Sequence, residues 1–182
     1  IQAAFRPNTK CVFGETLANP ALVVLDLEKF ASVAHKNGVP FIVDNTFATP
    51  INCRPFEFGA DIVTHSTTKY MDGHAATVGG CIVDSGNFDW SAHAEKFPGL
   101  TTPDESYHGI IYTERFGKGA YITKATSQLM RDMGSIQSPM NAFLINLGLE
   151  TLHLRVQRHC ENALKVAQFL SQDERVAWVN YA

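Results

Sequence analysis

Apolar and polar positions follow two successive patterns along this chain. Up to about residue 85, short apolar runs alternate with stretches of helical period, the sign of alternating strands and helices. After the turn-forming Asn19-Pro20, the run Ala21 to Leu25 predicts a strand. Asp26 then caps a predicted helix with apolar positions Leu27, Phe30, Val33 and Ala34, and Gly38 supplies its left-handed stop. Val39 to Val43 is apolar without alternation, as expected of a strand covered on both faces in a parallel sheet, and it ends at Asp44. Asp61 to Thr64 and Thr77 to Val83 are further strand candidates, the second interrupted by Gly79-Gly80. From Ala120 onward helical spacing dominates, with helices expected at Ala120 to Met133, Pro139 to about Leu147 and Glu150 to Leu170. Val176 to Tyr181 again resembles a strand.

The stretch between the two patterns, Asp84 to Gly117, is broken by Gly and Pro yet carries Phe88, Trp90, Phe97, Tyr107 and Tyr112. Such aromatic content predicts an ordered excursion that packs on the domain or on a neighbouring subunit.

Composition narrows the partners. A net charge of −3 with 18% charged residues and no basic cluster provides no footprint for a polyanion, so nucleic acid is not expected as a partner. The longest clean apolar run has five residues, Ala21 to Leu25, far below the roughly 20 needed to span a bilayer, so no membrane partner is expected either. Cys11, Cys53, Cys81 and Cys160 are widely and irregularly spaced, which fits a reducing compartment, the cytoplasm, with the thiols filling the interior. His65 and His74 have no usual metal-pair spacing, and no metal site is expected.

In open parallel sheets, ligands lie beyond the carboxyl ends of the strands. Two polar clusters follow predicted strands: Asp44-Asn45-Thr46 and His65-Ser66-Thr67-Thr68-Lys69-Tyr70. If both strands run parallel, Asp44 and Lys69 reach one crevice. A carboxylate there keeps a heteroaromatic nitrogen protonated, a lysine amine can form a Schiff base with an aldehyde, and Ser66 and Thr68 offer hydroxyls to phosphate oxygens. Those are the requirements of pyridoxal phosphate. Each element alone is common, and by themselves they leave a plain surface lysine and a strand-end cap open.

VDNTFATP at Val43 to Pro50 and ADIVTHSTTKYMDGH at Ala60 to His74 resemble the Cys/Met-metabolism branch of fold type I pyridoxal-phosphate enzymes, and ETLANP at Glu15 to Pro20 resembles an upstream motif of that branch. The resemblance implies that Lys69 is the catalytic, cofactor-bound lysine and Asp44 the partner of the pyridine nitrogen. It further implies that Ser66 and Thr68 contact the phosphate and that Asn19 lies near the phenolic oxygen. Ala75 departs from the branch, where Gly or Ser is more usual. DSGNFDW at Asp84 to Trp90, LTTPDESYHG at Leu100 to Gly109 and the segment Ser138 to Ala163 are similar to the O-acetylhomoserine sulfhydrylases within it.

The resemblance implies an α/β fold: a mostly parallel sheet with flanking helices, forming part of an aminotransferase-like large domain over 1–153, with a C-terminal α/β domain starting over 154–182. It implies γ-substitution on O-acetyl-L-homoserine by sulfide or a thiol, in a homotetramer built as a dimer of dimers. Methionine or cystathionine γ-lyase and cystathionine γ-synthase activity on the same scaffold remain alternatives, against which the long excursion argues. A further alternative is that the polypeptide is inert by itself, since family members are longer and their ring-stacking and substrate-carboxylate residues would lie outside it.

Overall fold

Four strands form one sheet at the centre of the computed structural model, which describes residues 1–182. They are β1 (Val12–Glu15), β2 (Phe41–Asp44), β3 (Ile62–His65) and β4 (Cys81–Asp84), in the order β1-β2-β3-β4. The first three run parallel, with Glu15 opposite Asp44 and Asp44 opposite Thr64; β4 is antiparallel to β3.

The unalternating runs in β2 and β3 are explained by burial on both faces. On one face Val12, Phe41, Val43 and Val63 pack with Leu27, Ala31 and Ala34 of helix α1 (Leu27–Lys36). Asp26 caps that helix by accepting from the Lys29 amide at 3.1 Å, and Gly38 at φ +63° ends it, both as expected. Asp61, almost fully buried, accepts from the Phe41 amide and meets His35 Nε2, each at 2.8 Å, so the end of α1 is tied to the sheet. The short helix α2 (Thr49–Asn52) and a 3-10 turn at Pro55–Phe58 connect β2 to β3.

On the opposite face Ile62 packs with Trp90, Leu100, Tyr112 and Ala120. These come from the excursion, which folds as 3-10 turns at Ser91–Lys96 and Glu105–Tyr107 and the short helices α3 (Pro98–Thr101) and α4 (Tyr112–Phe116). Its aromatics therefore fill the core of their own chain. The Trp90 and Tyr121 rings stack at 5.4 Å, and those of Tyr107 and Tyr112 at 5.8 Å. Asp104 anchors the excursion: its carboxylate accepts from Lys124 Nζ and from Ser106 Oγ and N, and the ammonium lies 4.8 Å from the Tyr112 ring centroid.

The predicted helix over Ala120 to Met133 is divided into α5 (Ala120–Lys124), a π-helical segment (Ala125–Met130) and α6 (Arg131–Met133). Helix α7 (Pro139–Glu150) starts at Ser138, whose hydroxyl accepts from the Asn141 amide at 3.1 Å. Helix α8 (Leu152–Ser171) packs on Met71 through Leu152 and Val156 and is mostly exposed beyond them; the expected boundary between 153 and 154 falls within it. No helix is long and apolar enough to cross a membrane.

Four sequence expectations are corrected. Ala21 to Leu25 is not a strand; Leu22 sits at φ +56°, the chain loops back through Ala18 N to Val23 O at 3.0 Å, and only a single bridge, Leu17 to Val24, forms. The edge strand is Val12–Glu15 instead, and Leu25 packs over Gly14, where a Cβ would lie 2.7 Å from Leu25 Cδ2. Of the candidate Thr77 to Val83 only the part from Cys81 onward pairs, in a strand that runs to Asp84, leaving Gly79 in a contact where a Cβ would meet Thr67 Oγ1 at 2.6 Å. Val176 to Tyr181 forms no strand because no ladder partner lies beside it. Cys11, Cys81 and Cys160 are exposed rather than interior, and none of the four thiols is paired.

Hydrogen bonds from Lys124 and Ser106 hold the Asp104 carboxyl down at about 2, below the ordinary carboxylate value of about 3.9. Ionised Asp104 therefore stabilises the native state above the ordinary value, and that contribution fades as pH falls towards about 2. Asp104→Asn should lower stability at neutral pH and flatten the acid limb of the denaturation profile between about pH 4 and pH 2, measured by urea unfolding of the intact protein.

Candidate functional site

The carboxyl ends of β1, β2 and β3 point the same way because the three strands are parallel. Asp44 is the last residue of β2, half-buried, and its Oδ1 accepts from the Thr46 amide at 2.9 Å. One residue on, Asn45 is fully buried: it accepts from Thr16 Oγ1 at 2.7 Å and donates to Cys53 O at 2.8 Å. Thr46 Oγ1 then accepts from the Ser66 amide at 2.7 Å, joining the loop after β2 to the loop after β3.

Ser66, Thr68 and Lys69 occupy that second loop, a turn in which the Lys69 amide donates to Ser66 O at 3.2 Å. The Lys69 side chain is exposed, and none of the chain's six ion pairs uses its amine. Thr68 has an internal task. Its hydroxyl donates to Gly79 O at 3.2 Å and accepts from Gly79 N at 3.0 Å, so it must turn its proton away from that carbonyl to serve an anion. Asn19 lies beyond β1, exposed, with its amide held by Glu15 Oε2 at 3.0 Å. All five predicted residues thus lie at or just beyond the carboxyl ends of three adjacent parallel strands.

His65, at the end of β3, is buried with Nδ1 unpartnered. Burial pushes its pKa down, only partly offset by the nearby Asp44 carboxylate, which keeps the imidazole neutral at neutral pH. A cavity of about 1320 Å³ lies between Ile42, Ile62 and Ile82 of the sheet and the segment around Leu129 and Met133; it includes none of the five predicted residues. No group of three His, Cys, Asp or Glu side chains is placed to hold a metal ion.

Several residues that shape this edge were not singled out from the sequence. Asp72 is almost fully buried and its Oδ2 accepts from the amides of His74 and Ala76 at 3.2 and 2.9 Å; these backbone donors, Ala76 first, lower its pKa against the effect of burial. Within that loop Ala75 adopts φ +54°, a left-handed conformation that glycine takes without steric cost, which accounts for the glycine the resemblance leads one to expect there. Gly148 of α7 presses on the same turn, where an added Cβ would lie 2.3 Å from both Met71 O and Asp72 O. The only sequence signal for it was a glycine inside a helical pattern. His159, exposed on α8, places its ring 5.4 Å from that of Tyr70.

The model of the family described as Cys/Met metabolism PLP-dependent enzymes matches residues 1–182. This chain belongs to that family. A homocysteine/cysteine synthase of Saccharomyces cerevisiae is 50% identical over 181 residues, covering 99% of this chain and 41% of that protein. An O-acetyl-L-homoserine sulfhydrylase of Corynebacterium glutamicum is 48% identical over 184 residues, covering 100% and 42%. The chain therefore spans about two fifths of the length of these curated relatives. Among solved structures, an O-acetylhomoserine (thiol)-lyase of Campylobacter jejuni superposes with a TM-score of 0.92 at 35% identity, over 99% of this chain and 44% of that one. That structure contains N'-pyridoxyl-lysine-5'-monophosphate. An O-acetylhomoserine sulfhydrylase of Wolinella succinogenes superposes at 0.85 with 36% identity, covering 99% and 47%.

Cys/Met-family membership brings pyridoxal phosphate, and the donor set at the strand ends fits it: an unpaired amine, a carboxylate with one oxygen unengaged by the loop, and the Ser66 and Thr68 hydroxyls. The close packing of α7 on this turn yields a stability test. Gly148→Ala drives a Cβ into two backbone carbonyls, and we expect it to destabilise the intact protein by about 1–3 kcal/mol, read from the urea midpoint. An unchanged midpoint would show that α7 does not bear on the turn.

Proposed function

We propose that the whole protein carries out γ-substitution on O-acetyl-L-homoserine, replacing acetate by sulfide or a thiol to give homocysteine or methionine. The observation that carries this proposal is the approach of two loops: the Asp44 loop and the Lys69 loop are joined at the strand ends by the hydrogen bond from Ser66 N to Thr46 Oγ1. Relatives named as homocysteine synthase and O-acetylhomoserine sulfhydrylase support substitution over elimination.

Pyridoxal phosphate, when bound, supplies an aldehyde and an electron-withdrawing pyridinium ring. In this proposal Lys69 Nζ would hold the aldehyde carbon of the cofactor and, as a free amine, would carry protons at the substrate α- and β-carbons. The Asp44 carboxylate keeps the ring nitrogen protonated, because an adjacent anion favours the charged form. Ser66 Oγ binds phosphate oxygens, joined by Thr68 when its hydroxyl turns from Gly79. Asn19, on the adjoining strand end, is assigned beside the phenolic oxygen. We further assign residues 1–153 to the cofactor-binding domain and 154–182 to the start of the next, in a cytoplasmic homotetramer. Four unpaired cysteines support a reducing compartment.

Lys69→Ala should abolish the visible cofactor band of the intact protein and reduce turnover of O-acetylhomoserine plus sulfide by at least about 10³-fold. Retention of both would remove Lys69 from its role. Asp44→Ala should still take up the cofactor yet slow turnover by about 10–10³-fold, the equivalent of one to three pKa units at the ring nitrogen, measured by single-turnover kinetics. Product analysis decides between reaction classes: homocysteine from O-acetylhomoserine and sulfide supports substitution, whereas breakdown of methionine or homocysteine alone would indicate a lyase.

A further inference from the structure

Contacts from the last two helices converge on the backbone just after Lys69. Arg155, on the first turn of α8, reaches back across the fold: Nη1 donates to Tyr70 O at 2.8 Å, Nη2 to Gly148 O at 2.7 Å and Nε to Thr151 Oγ1 at 3.1 Å. Its guanidinium lies against Gly73, where an added Cβ would sit 2.4 Å from Nη1. Gly73 N in turn donates to Lys69 O at 2.9 Å. One turn further along α8, the His159 ring meets the ring of the same Tyr70.

The charge of Arg155 is directed at neutral acceptors. It takes part in none of the six ion pairs, and its hydrogen-bond partners are two backbone carbonyls and one hydroxyl. A planar fork that engages a carbonyl of α7, the Thr151 hydroxyl between the two helices and a carbonyl of the turn sets geometry. A lysine ammonium on a flexible stem cannot span the same three acceptors. On the other side of Lys69, the bond from Ser66 N to Thr46 Oγ1 fixes the start of the turn, so the lysine is bracketed between two fixed points.

We propose that Arg155 is a positioning residue for the reaction: by holding Tyr70 O and the face of Gly73, it sets the direction in which Lys69 Nζ leaves the turn towards the Asp44 end of the crevice. This rests on the assignment of Lys69 above. A role confined to docking α8 would change stability and leave the chemistry of Lys69 as it was.

The test uses the full-length holoenzyme and its cofactor-free form, with Arg155→Lys, Arg155→Ala and Thr151→Val. In the cofactor-free protein, Arg155→Lys should speed hydrogen exchange at the Gly73 amide by about tenfold or more while β2 amides keep their protection. In the holoenzyme it should shift the pH midpoint of the visible cofactor band by about half a unit or more. It should also lower kcat by about tenfold with KM within about threefold. Arg155→Ala should exceed these effects, and Thr151→Val, which removes only the Nε partner, should fall between parent and Arg155→Lys. A folded Arg155→Lys enzyme with unchanged Gly73 exchange and band midpoint overturns the proposal, even if its melting temperature drops. If both Arg155 variants fail to fold, Thr151→Val decides, and parental exchange and midpoint there overturn it equally. A parent enzyme whose visible band survives Lys69→Ala would instead sink the functional assignment, leaving the Gly73 exchange result standing on its own.

Discussion

Parallel registration of β1, β2 and β3 is the constraint on which the rest of this molecule depends. With Glu15 opposite Asp44 and Asp44 opposite Thr64, the three strands end level, and whatever follows them shares one edge. A one-residue slip would send Asp44 to the other face, because side chains alternate along a strand. Buried polar pairing locks the register: the Asn45 side chain takes the Thr16 hydroxyl and donates to Cys53 O, and Asn45 N donates to Thr64 O at 2.9 Å. Leaving any of these buried groups unpaired costs about 1–3 kcal/mol, so the strand ends have one low-energy arrangement.

The two faces of the sheet are covered by different means. An amphipathic helix with a clean cap covers one face, a local solution that its own residues specify. Irregular turns carrying Trp90, Leu100 and Tyr112 cover the other. That layer has little periodic structure, and its order comes from stacked and edge-on aromatic contacts and the Asp104–Lys124 pair. Such polar anchors at half-buried positions fix the path of a segment that hydrophobic burial alone would leave under-specified.

Much of the candidate site was legible because the groups proposed for it lie in short contiguous segments. VDNTFATP and HSTTKY each place their functional groups just after an apolar strand, so the local pattern alone puts Asp44 and Lys69 at strand ends. Less legible were elements whose conformation depends on distant partners. Ala21 to Leu25 has the composition of a strand, yet Leu22 enters a left-handed conformation and the pairing beside β2 goes to Val12–Glu15, a segment with a glycine in it. Val176 to Tyr181 has strand-like residues and no strand to pair with. The antiparallel direction of β4 also has no local signature, since it follows from how the connection over 66–80 brings the chain back beside β3.

What the sequence determined by itself is therefore the run of apolar segments, the cap and stop of α1, and the identity of the groups that follow the strands, all set by interactions within a few residues. Tertiary structure alone decided which segment became the edge strand and that Thr68 is engaged by Gly79. It also decided that Gly148, Arg155 and His159 close on the turn holding Lys69. Those contacts join residues about 80 positions apart in the chain, and no local periodicity can announce them because their energies exist only once the helices have docked.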